Sequence, residues 1–91
     1  MNGKTANLGH LPAGSVVRVS IQGDGPNVRI FDRSNFRAFQ SGQRAKYYGG
    51  HAQRSPVSIA VPYAAEWHLV IDFGGYAGRA TFQYEILRAT G

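Results

Sequence analysis

The sequence has no cysteine among its 91 residues, and it has only one methionine and one tryptophan. Without cysteine the chain can form neither a disulfide framework nor a thiolate metal site, and a reducing, cytoplasmic location is the simplest expectation. Acidic residues are also few, since five Asp and Glu stand against ten Lys and Arg, for a formal net charge of +5. The carboxylates are scattered and form no calcium motif, so the sequence predicts no metal and no cofactor.

Long apolar runs are missing as well. The N-terminal residues lead into no apolar stretch, which predicts no secretory signal. The longest nearly apolar stretch, Trp67 to Phe73, contains His68 and Asp72 and is far shorter than the ~20 residues that a membrane-spanning helix needs. We therefore expect no transmembrane segment. A chain of this length predicts a single domain, residues 1–91, with one hydrophobic core.

Alternation of apolar and polar residues with a period of two is the dominant pattern from residue 15 onward. In residues 15–22, Val17, Val19 and Ile21 fall on one face of a strand, and polar residues occupy the other face. The same pattern predicts strands over residues 27–32, 56–61, 66–73 and 79–87, with a weaker edge strand over residues 5–10. The further side chains predicted to point inward are Val28, Ile30, Val57, Ile59, Val61, Trp67, Leu69, Ile71, Phe73, Ala80, Phe82, Tyr84 and Ile86.

Glycine and proline bound these short strands at near-regular spacing, which is typical of sandwiches and barrels. We predict an all-β fold, a small antiparallel β-sandwich of jelly-roll-like type. Residues 33–40 break the alternation and predict a short helical turn, capped by Asp32 or Ser34, with Phe36 and Phe39 facing the core. We expect this segment to be the crossover by which the chain passes from one sheet to the other.

Several motifs, in their order, resemble a known family. They are the segments Asn27–Phe36, Tyr47–Gly50, Ser55–Val57 and Trp67–Gly78. Over roughly residues 6 to 87 the chain resembles the bacterial family of small proteins called domain of unknown function 1883. Members of that family stand alone or are fused to Toll/interleukin-1 receptor (TIR) domains, which in bacteria are often NAD-cleaving immune effectors. The resemblance implies a sensor, adaptor or targeting module with a TIR-domain effector as a partner, and it supplies no functional residues.

Two groups of residues make up the predicted binding surface. Six of the ten basic residues fall between Arg29 and Arg54, where only Asp32 opposes them, and such a cluster can attract an anionic partner. The glycine pairs can adopt positive φ and present bare backbone N–H groups, and the tyrosines beside them can stack on a sugar or a base. The plain alternatives are a solvated arginine-rich loop, tight turns and tyrosines that cover the core. The candidate residues are Arg33, Arg37, Arg44, Lys46, Tyr47, Tyr48, Gly49, Gly50, Gly74, Gly75 and Tyr76.

Three functional hypotheses follow. The leading one is a non-catalytic recognition or adaptor module that binds a protein partner or a small polar ligand. The second is electrostatic binding of nucleic acid or an anionic surface, against which the moderate charge and the core positions expected for Phe36 and Phe39 count. The third is a hydrolase built on His51 or His68, but scattered histidines form no catalytic signature and we predict no catalytic residues. Exposed edge strands could also pair between copies of the chain, so the sequence leaves the oligomeric state undecided.

Overall fold

The computed structural model describes residues 3–75 and 77–89, which form two packed sheets with a helix on one of them. One sheet has the strand order β1-β6-β3-β4 and the other β5-β2-β7, and every pairing is antiparallel. The predicted all-β sandwich is therefore confirmed. The elements are β1 (Gly3–Leu11), β2 (Val16–Gly23), β3 (Asn27–Asp32), α1 (Arg33–Gln40), β4 (Tyr48–His51), β5 (Val57–Ala60), β6 (Ala65–Asp72) and β7 (Ala80–Leu87).

The interior between the sheets is built from alternate side chains, as the period of two predicts. Trp67 lies in the middle of the four-stranded sheet and is fully buried. Its indole N–H donates to the carbonyl oxygen of Tyr63 at 3.1 Å, so the one polar atom of the ring is satisfied. The buried cluster comprises Leu8, Leu11, Val17, Val19, Val28, Ile30, Ala52, Ile59, Val61, Trp67, Leu69 and Ile71.

Three predicted inward residues, Phe73, Ala80 and Tyr84, belong neither to the buried cluster nor to the partly buried side chains packed against it. Tyr84 is 47% exposed, so its predicted burial is wrong. The cause is its position on β7, an edge strand of the three-stranded sheet, where a large ring has no neighbouring strand to cover its outer side. Phe82 and Ile86 of the same strand are partly buried and pack against the cluster.

Strand β4 is the element that alternation did not predict, because two of its four residues are glycines. Gly49 has a φ of 109°, and a Cβ there would collide with the carbonyl oxygen of Val28 on the paired strand. A side chain at Gly50 would instead meet open space. Gly49 therefore permits close approach of β3 and β4, whereas Gly50 is under no such constraint.

Helix α1 connects two neighbouring strands of the same sheet, β3 and β4. The predicted passage to the other sheet in this segment is wrong, because α1 lies across the outer face of its own sheet and returns the chain to the next strand. Its N-cap is Asp32, whose carboxylate accepts the N–H of Asn35 at 2.9 Å. The predicted capping role of Asp32 is thus confirmed.

The two phenylalanines of α1 pack on the outer face of this sheet and not in the sandwich interior. Phe36 stacks on His68 of β6, with ring centroids 4.2 Å apart and planes within 5°. The ring centroids of Phe39 and of Phe31 on β3 are 4.8 Å apart. The central strand β6 is consequently buried on both faces, because Val70 and its neighbours on the outer side are covered as well.

A charged pair anchors the same outer face. Arg29 of β3 donates to the carboxylate of Asp72 of β6 at 2.5 Å, and the two side chains are 18% and 9% exposed. Asp72 also accepts the side-chain amide of Asn27 and the backbone N–H of Gly74. The Arg29 guanidinium lies 5.0 Å from the ring centroid of Phe39, so an aromatic face of α1 covers the cation.

Replacing Asp72 by Asn should lower the free energy of unfolding by about 2–3 kcal/mol. Removing one partner of a fully buried pair costs roughly 3–5 kcal/mol, and the residual exposure of Arg29 reduces that figure. Urea unfolding measures the change. The matched control is Glu85→Gln, which breaks the exposed Arg18–Glu85 pair and should cost less than about 1 kcal/mol. Equal losses in the two variants would contradict this role for Asp72.

Replacing Gly49 by Ala should destabilise the protein by at least about 2 kcal/mol, because an L side chain at positive φ is strained and also meets the Val28 carbonyl. Gly50→Ala is the control on the same strand, and its effect should stay within about 0.5 kcal/mol. Thermal unfolding of both variants tests the claim. A Gly50→Ala variant as unstable as Gly49→Ala would show that the pairing of β3 with β4 is wrongly assigned.

Candidate functional site

A polar cleft lies between α1 and the outer face of β1 and β6. Its volume is about 340 Å³. It includes two of the predicted binding residues, Arg33 and Arg37 of the helix. We call it the α1 cleft, and the residues that line it are Asn7, Arg33, Phe36, Arg37, Gln40, Glu66 and His68.

Helical geometry places the two arginines together. Arg33 and Arg37 are four residues apart on α1, so they lie one above the other on the same side of the helix, and both are exposed. Phe36, on the neighbouring inward side, is held against His68. Because the ring fixes the rotation of the helix, the arginines stand at the rim of the cleft.

The floor of the cleft is a His–Glu pair. Glu66 and His68 are two residues apart on β6 and so share its outer face, with the Glu66 carboxylate 2.8 Å from His68 Nε2. The hydrogen bond from His68, followed by the charges of Arg33 and Arg37, holds the pKa of the Glu66 carboxyl below its ordinary value of 4.5. Glu66 is therefore ionised near neutral pH and offsets part of the positive charge at the rim.

Arg33, Arg37, Arg44 and Lys46 take no part in the ion pairs of the described chain, whereas Arg29 of the same basic stretch is paired with Asp72. Those ion pairs are Arg18–Glu85, Arg29–Asp72 and His68–Glu66. Asp32, the one acid within the basic stretch, is engaged by the backbone and side chain of Asn35 as the helix cap. Positive charge is thus left available on α1 and the segment after it, at Arg33, Arg37, Arg44 and Lys46, which we call the α1 surface.

Arg33 and Arg37 lie on one flank of α1, and the backbone of Lys46 lies on the other. The backbone N–H of Lys46 donates to the side-chain oxygen of Asn35 at 2.9 Å, which ties the segment after the helix to one side of α1. At 100° per residue, Asn35 lies roughly 160° around the helix from Arg33. Arg33 and Arg37 therefore border the α1 cleft, while the backbone of Lys46 lies on the opposite flank and its ammonium lies 5.6 Å from the ring centroid of Tyr48.

The two predicted tyrosines point in opposite directions. Tyr48 is half-buried and its ring meets the Trp67 ring edge-on at 5.9 Å, so it belongs to the sandwich interior. Tyr47 is 46% exposed and lies on the outer face beside Phe31 and Arg29. Of the pair, only Tyr47 presents much of its ring to a ligand.

The predicted glycines do not join the α1 surface. Gly49 and Gly50 are part of β4. Gly74 and Gly75, with φ values of 60° and 92°, form the turn after β6. This turn lies beside Asn27, the first residue of β3, whereas α1 follows the last residue of β3. Tyr76 lies outside the described residues. The structure thus divides the predicted binding surface between the two ends of β3.

Sequence reasoning missed the polar side chains of the cleft floor. Their signal was present, because His68 interrupts the apolar run of β6 on the face opposite Trp67 and Leu69, and Glu66 precedes it by two residues. A polar residue inside a strand flanked by buried residues indicates a second covered face. Asn7 and Gln40 have no comparable signal.

A second carboxylate controls the start of α1. Burial raises the pKa of Asp32, but hydrogen bonds from Tyr63, Asn35 and Ser34 outweigh it and hold the pKa below the ordinary value of 3.8. The hydrogen bond that Tyr63 donates to Asp32 is in turn the main cause of the raised pKa of Tyr63, which is about 12. The cap is therefore an ionised carboxylate facing a protonated phenol across the neutral range.

Within residues 3–75 and 77–89, no three His, Cys, Asp or Glu side chains are grouped so as to hold a metal ion. No helix in these ranges has the length and apolar character needed to cross a membrane.

Comparison with known protein families gave a match over nearly the whole chain. The model of the family described as domain of unknown function (DUF1883) matches residues 4–90. The searches of curated proteins and of solved structures each found no match.

Stability should fall steeply with acid below about pH 4. Burial alone would raise the pKa of Asp72, but the Asn27 hydrogen bond and the Arg29 charge hold it below the ordinary 3.8, and Asp32 is likewise lowered. As pH falls, Asp72 and Asp32 are therefore protonated at a higher pH in the unfolded chain than in the folded protein. The stabilisation is fully present above the unfolded pKa and is lost through the folded pKa.

Urea midpoints measured from neutral pH to pH 3 test this expectation. Asp32→Asn keeps a good N-cap residue but removes one titrating group, so its acid dependence should be shallower than that of the natural sequence. Glu85→Gln, which removes an exposed carboxylate, is the control. Parallel curves for Asp32→Asn and the natural sequence would contradict the assignment of Asp32.

Proposed function

The chain belongs to the DUF1883 family, and from this premise we propose that it is a non-catalytic recognition module whose α1 surface binds an acidic segment of a partner protein. One observation carries the proposal. Arg33 and Arg37 stand exposed, one helical turn apart, at the rim of a polar cleft, and none of the ion pairs among the described residues uses them.

The chemistry of the rim favours carboxylates. A guanidinium presents two parallel N–H donors that match the two oxygens of a carboxylate, and such charge-assisted bonds are among the stronger ones in proteins. The side-chain amides of Asn7 and Gln40 line the same cleft and add donors. Glu66 at the floor repels an anion that enters deeply, so the acidic side chain is expected to bind at the rim.

The two flanks of α1 suggest the spacing of the ligand's acidic residues. A helix with its side chains is about 10–12 Å across, and an extended chain advances about 3.3 Å per residue. A segment lying across α1 reaches Arg37 on one flank and the β4 side, where the Lys46 ammonium lies beside the Tyr48 ring, when its carboxylates are about three to four residues apart. The exposed residues between the flanks include Ser34, which is small enough to let a chain pass.

The lining of the α1 cleft supports a non-catalytic role. Its described residues include no hydroxyl or thiol that could act as a nucleophile. His68 is buried, stacked on Phe36 and bonded to Glu66, so its ring is occupied in holding the helix to the sheet.

Packing of the phenylalanines argues against the nucleic-acid alternative. Single-stranded nucleic acid is bound by stacking bases on exposed aromatic rings. Phe36 and Phe39 are only partly exposed, and their rings pack on His68 and Phe31. Nucleic acid and anionic membrane surfaces are therefore the competing ligands that the binding experiment distinguishes from an acidic peptide.

A finer proposal concerns the partner itself. A bacterial TIR-domain effector in the cytoplasm is the partner that the family resemblance implies, with this chain as its adaptor. That identification rests on the resemblance alone, whereas the acidic class of ligand rests on the α1 surface.

Binding of a fluorescent peptide tests the proposal. The probe is a Gly/Ser peptide carrying two Glu residues four positions apart, and its Gln counterpart is the matched ligand control. Arg33→Gln with Arg37→Gln should weaken the peptide's affinity at least about tenfold, since two charge-assisted hydrogen bonds are lost. Fluorescence anisotropy at about 50 mM salt, repeated at about 200 mM, measures the loss and its screening.

The control protein is Arg54→Gln with Arg79→Gln, which makes the same change in net charge at exposed positions away from α1. It should bind the peptide as the natural sequence does. Equal weakening by both double variants would mean that net charge alone drives binding. An oligothymidylate or phosphatidylserine vesicles could instead bind more tightly than the acidic peptide, with the same dependence on Arg33 and Arg37. That result would contradict the acidic peptide as the ligand class and assign the α1 surface to nucleic acid or to anionic membranes.

A further inference from the structure

We propose a second binding site, at the other end of β3 from the start of α1, for a small neutral polyhydroxylated ligand such as a single sugar unit. The site is a cleft of about 420 Å³ beside the turn after β6, within the range of small-molecule pockets. We call it the glycine-turn cleft. The lining residues that carry the inference are Asp24, Gly25, Asn27, His51, Phe73 and Gly74.

Strand register brings these residues together. Asn27, the first residue of β3, pairs with His51 at the end of β4 and with Asp72 at the end of β6. The turn between β2 and β3 contributes Asp24, and the turn after β6 contributes Gly74. Polar groups from four separate segments thus converge on one cavity, an arrangement typical of ligand sites.

The orientation of the Asn27 amide is fixed from behind. Its Nδ2 donates to the Asp72 carboxylate at 3.1 Å, and a carboxylate can only accept, so the amide cannot be reversed. Asp72 is held in turn by Arg29 and by the N–H of Gly74. The Asn27 side-chain oxygen takes no part in the hydrogen bonds of the described chain and is left as a positioned acceptor.

The remaining groups offer the mixture of donors and acceptors that hydroxyls need. One Asp24 oxygen accepts the N–H of Arg79 at 2.9 Å, which leaves the other oxygen as an acceptor for a ligand. The exposed His51 ring contributes a donor or an acceptor according to its tautomer. Because each hydroxyl both donates and accepts, adjacent hydroxyls of a sugar can use these groups together.

Charge separates this site from the α1 surface. No Lys or Arg is among the described residues that line the glycine-turn cleft, and Asp24 is its one charged group. A phosphate or carboxylate ligand would meet repulsion there. Phe73 supplies the apolar surface that the C–H face of a sugar ring requires, and Gly74 allows a ligand close to the backbone.

Titration with free monosaccharides, followed by ¹H–¹⁵N NMR, tests the proposal. The probes are glucose, galactose, mannose and N-acetylglucosamine, each added up to its solubility limit. At least one should shift the Gly25, His51 and Gly74 amides and the Asn27 side-chain NH₂, with saturation. His51→Ala, at an exposed position, should weaken that binding about fivefold, as the loss of one hydrogen bond predicts.

The Arg33→Gln, Arg37→Gln protein separates this site from the proposed function, because it should bind the sugar with unchanged affinity. Inorganic phosphate serves as the anionic probe and should leave these resonances unmoved. The proposal is overturned if none of the four sugars shifts them, or if phosphate shifts them and the sugars do not. Unchanged sugar binding by His51→Ala and by Asp24→Asn would also overturn it.

Discussion

The ion pair between Arg29 and Asp72 is the interaction on which the outer face of the four-stranded sheet depends. It lies between adjacent strands β3 and β6 at a position where solvent is largely excluded. Three groups bind the Asp72 carboxylate, namely the guanidinium, the Asn27 amide and the Gly74 N–H. A lone charge could not remain in such a place, since burial would disfavour its ionised form. The pair therefore couples the two strands to the turn that follows β6.

The aromatic cover of Arg29 explains why the fold carries a helix at all. Phe39 and Tyr47 lie over the guanidinium from α1 and from the segment after it. Phe36 adds the stack on His68. These contacts partly bury one side of an eight-residue helix that would not be stable alone, and they leave the opposite side polar. The exposure of Arg33 and Arg37 is a consequence of that packing. A rotation of the helix that turned these arginines toward the sheet would expose Phe36 and Phe39 to solvent.

Much of this architecture could be predicted from the sequence, and the failures have physical causes. Alternation located six of the seven strands of the described chain and most of the interior, because burial on one face imposes a period of two. It did not find β4, whose Gly49 and Gly50 carry no apolar signal. It placed Phe36 and Phe39 in the interior because a pattern of apolar residues does not reveal which face of a sheet they cover. The α1 surface was foreseen as a basic cluster, but the His68–Glu66 floor and the separation from Gly74 depend on strand order.

Nuclear Overhauser contacts between the rings of Phe36 and His68 test the central claim most directly, namely that α1 is fastened to the outer face of the sheet as a third layer. The stacked geometry, with centroids 4.2 Å apart, predicts strong contacts between the two rings and upfield ring-current shifts for the His68 protons. A Phe36 ring with solvent-like shifts and no contact to His68 would contradict it, and the α1 cleft would then lose the wall that the helix forms.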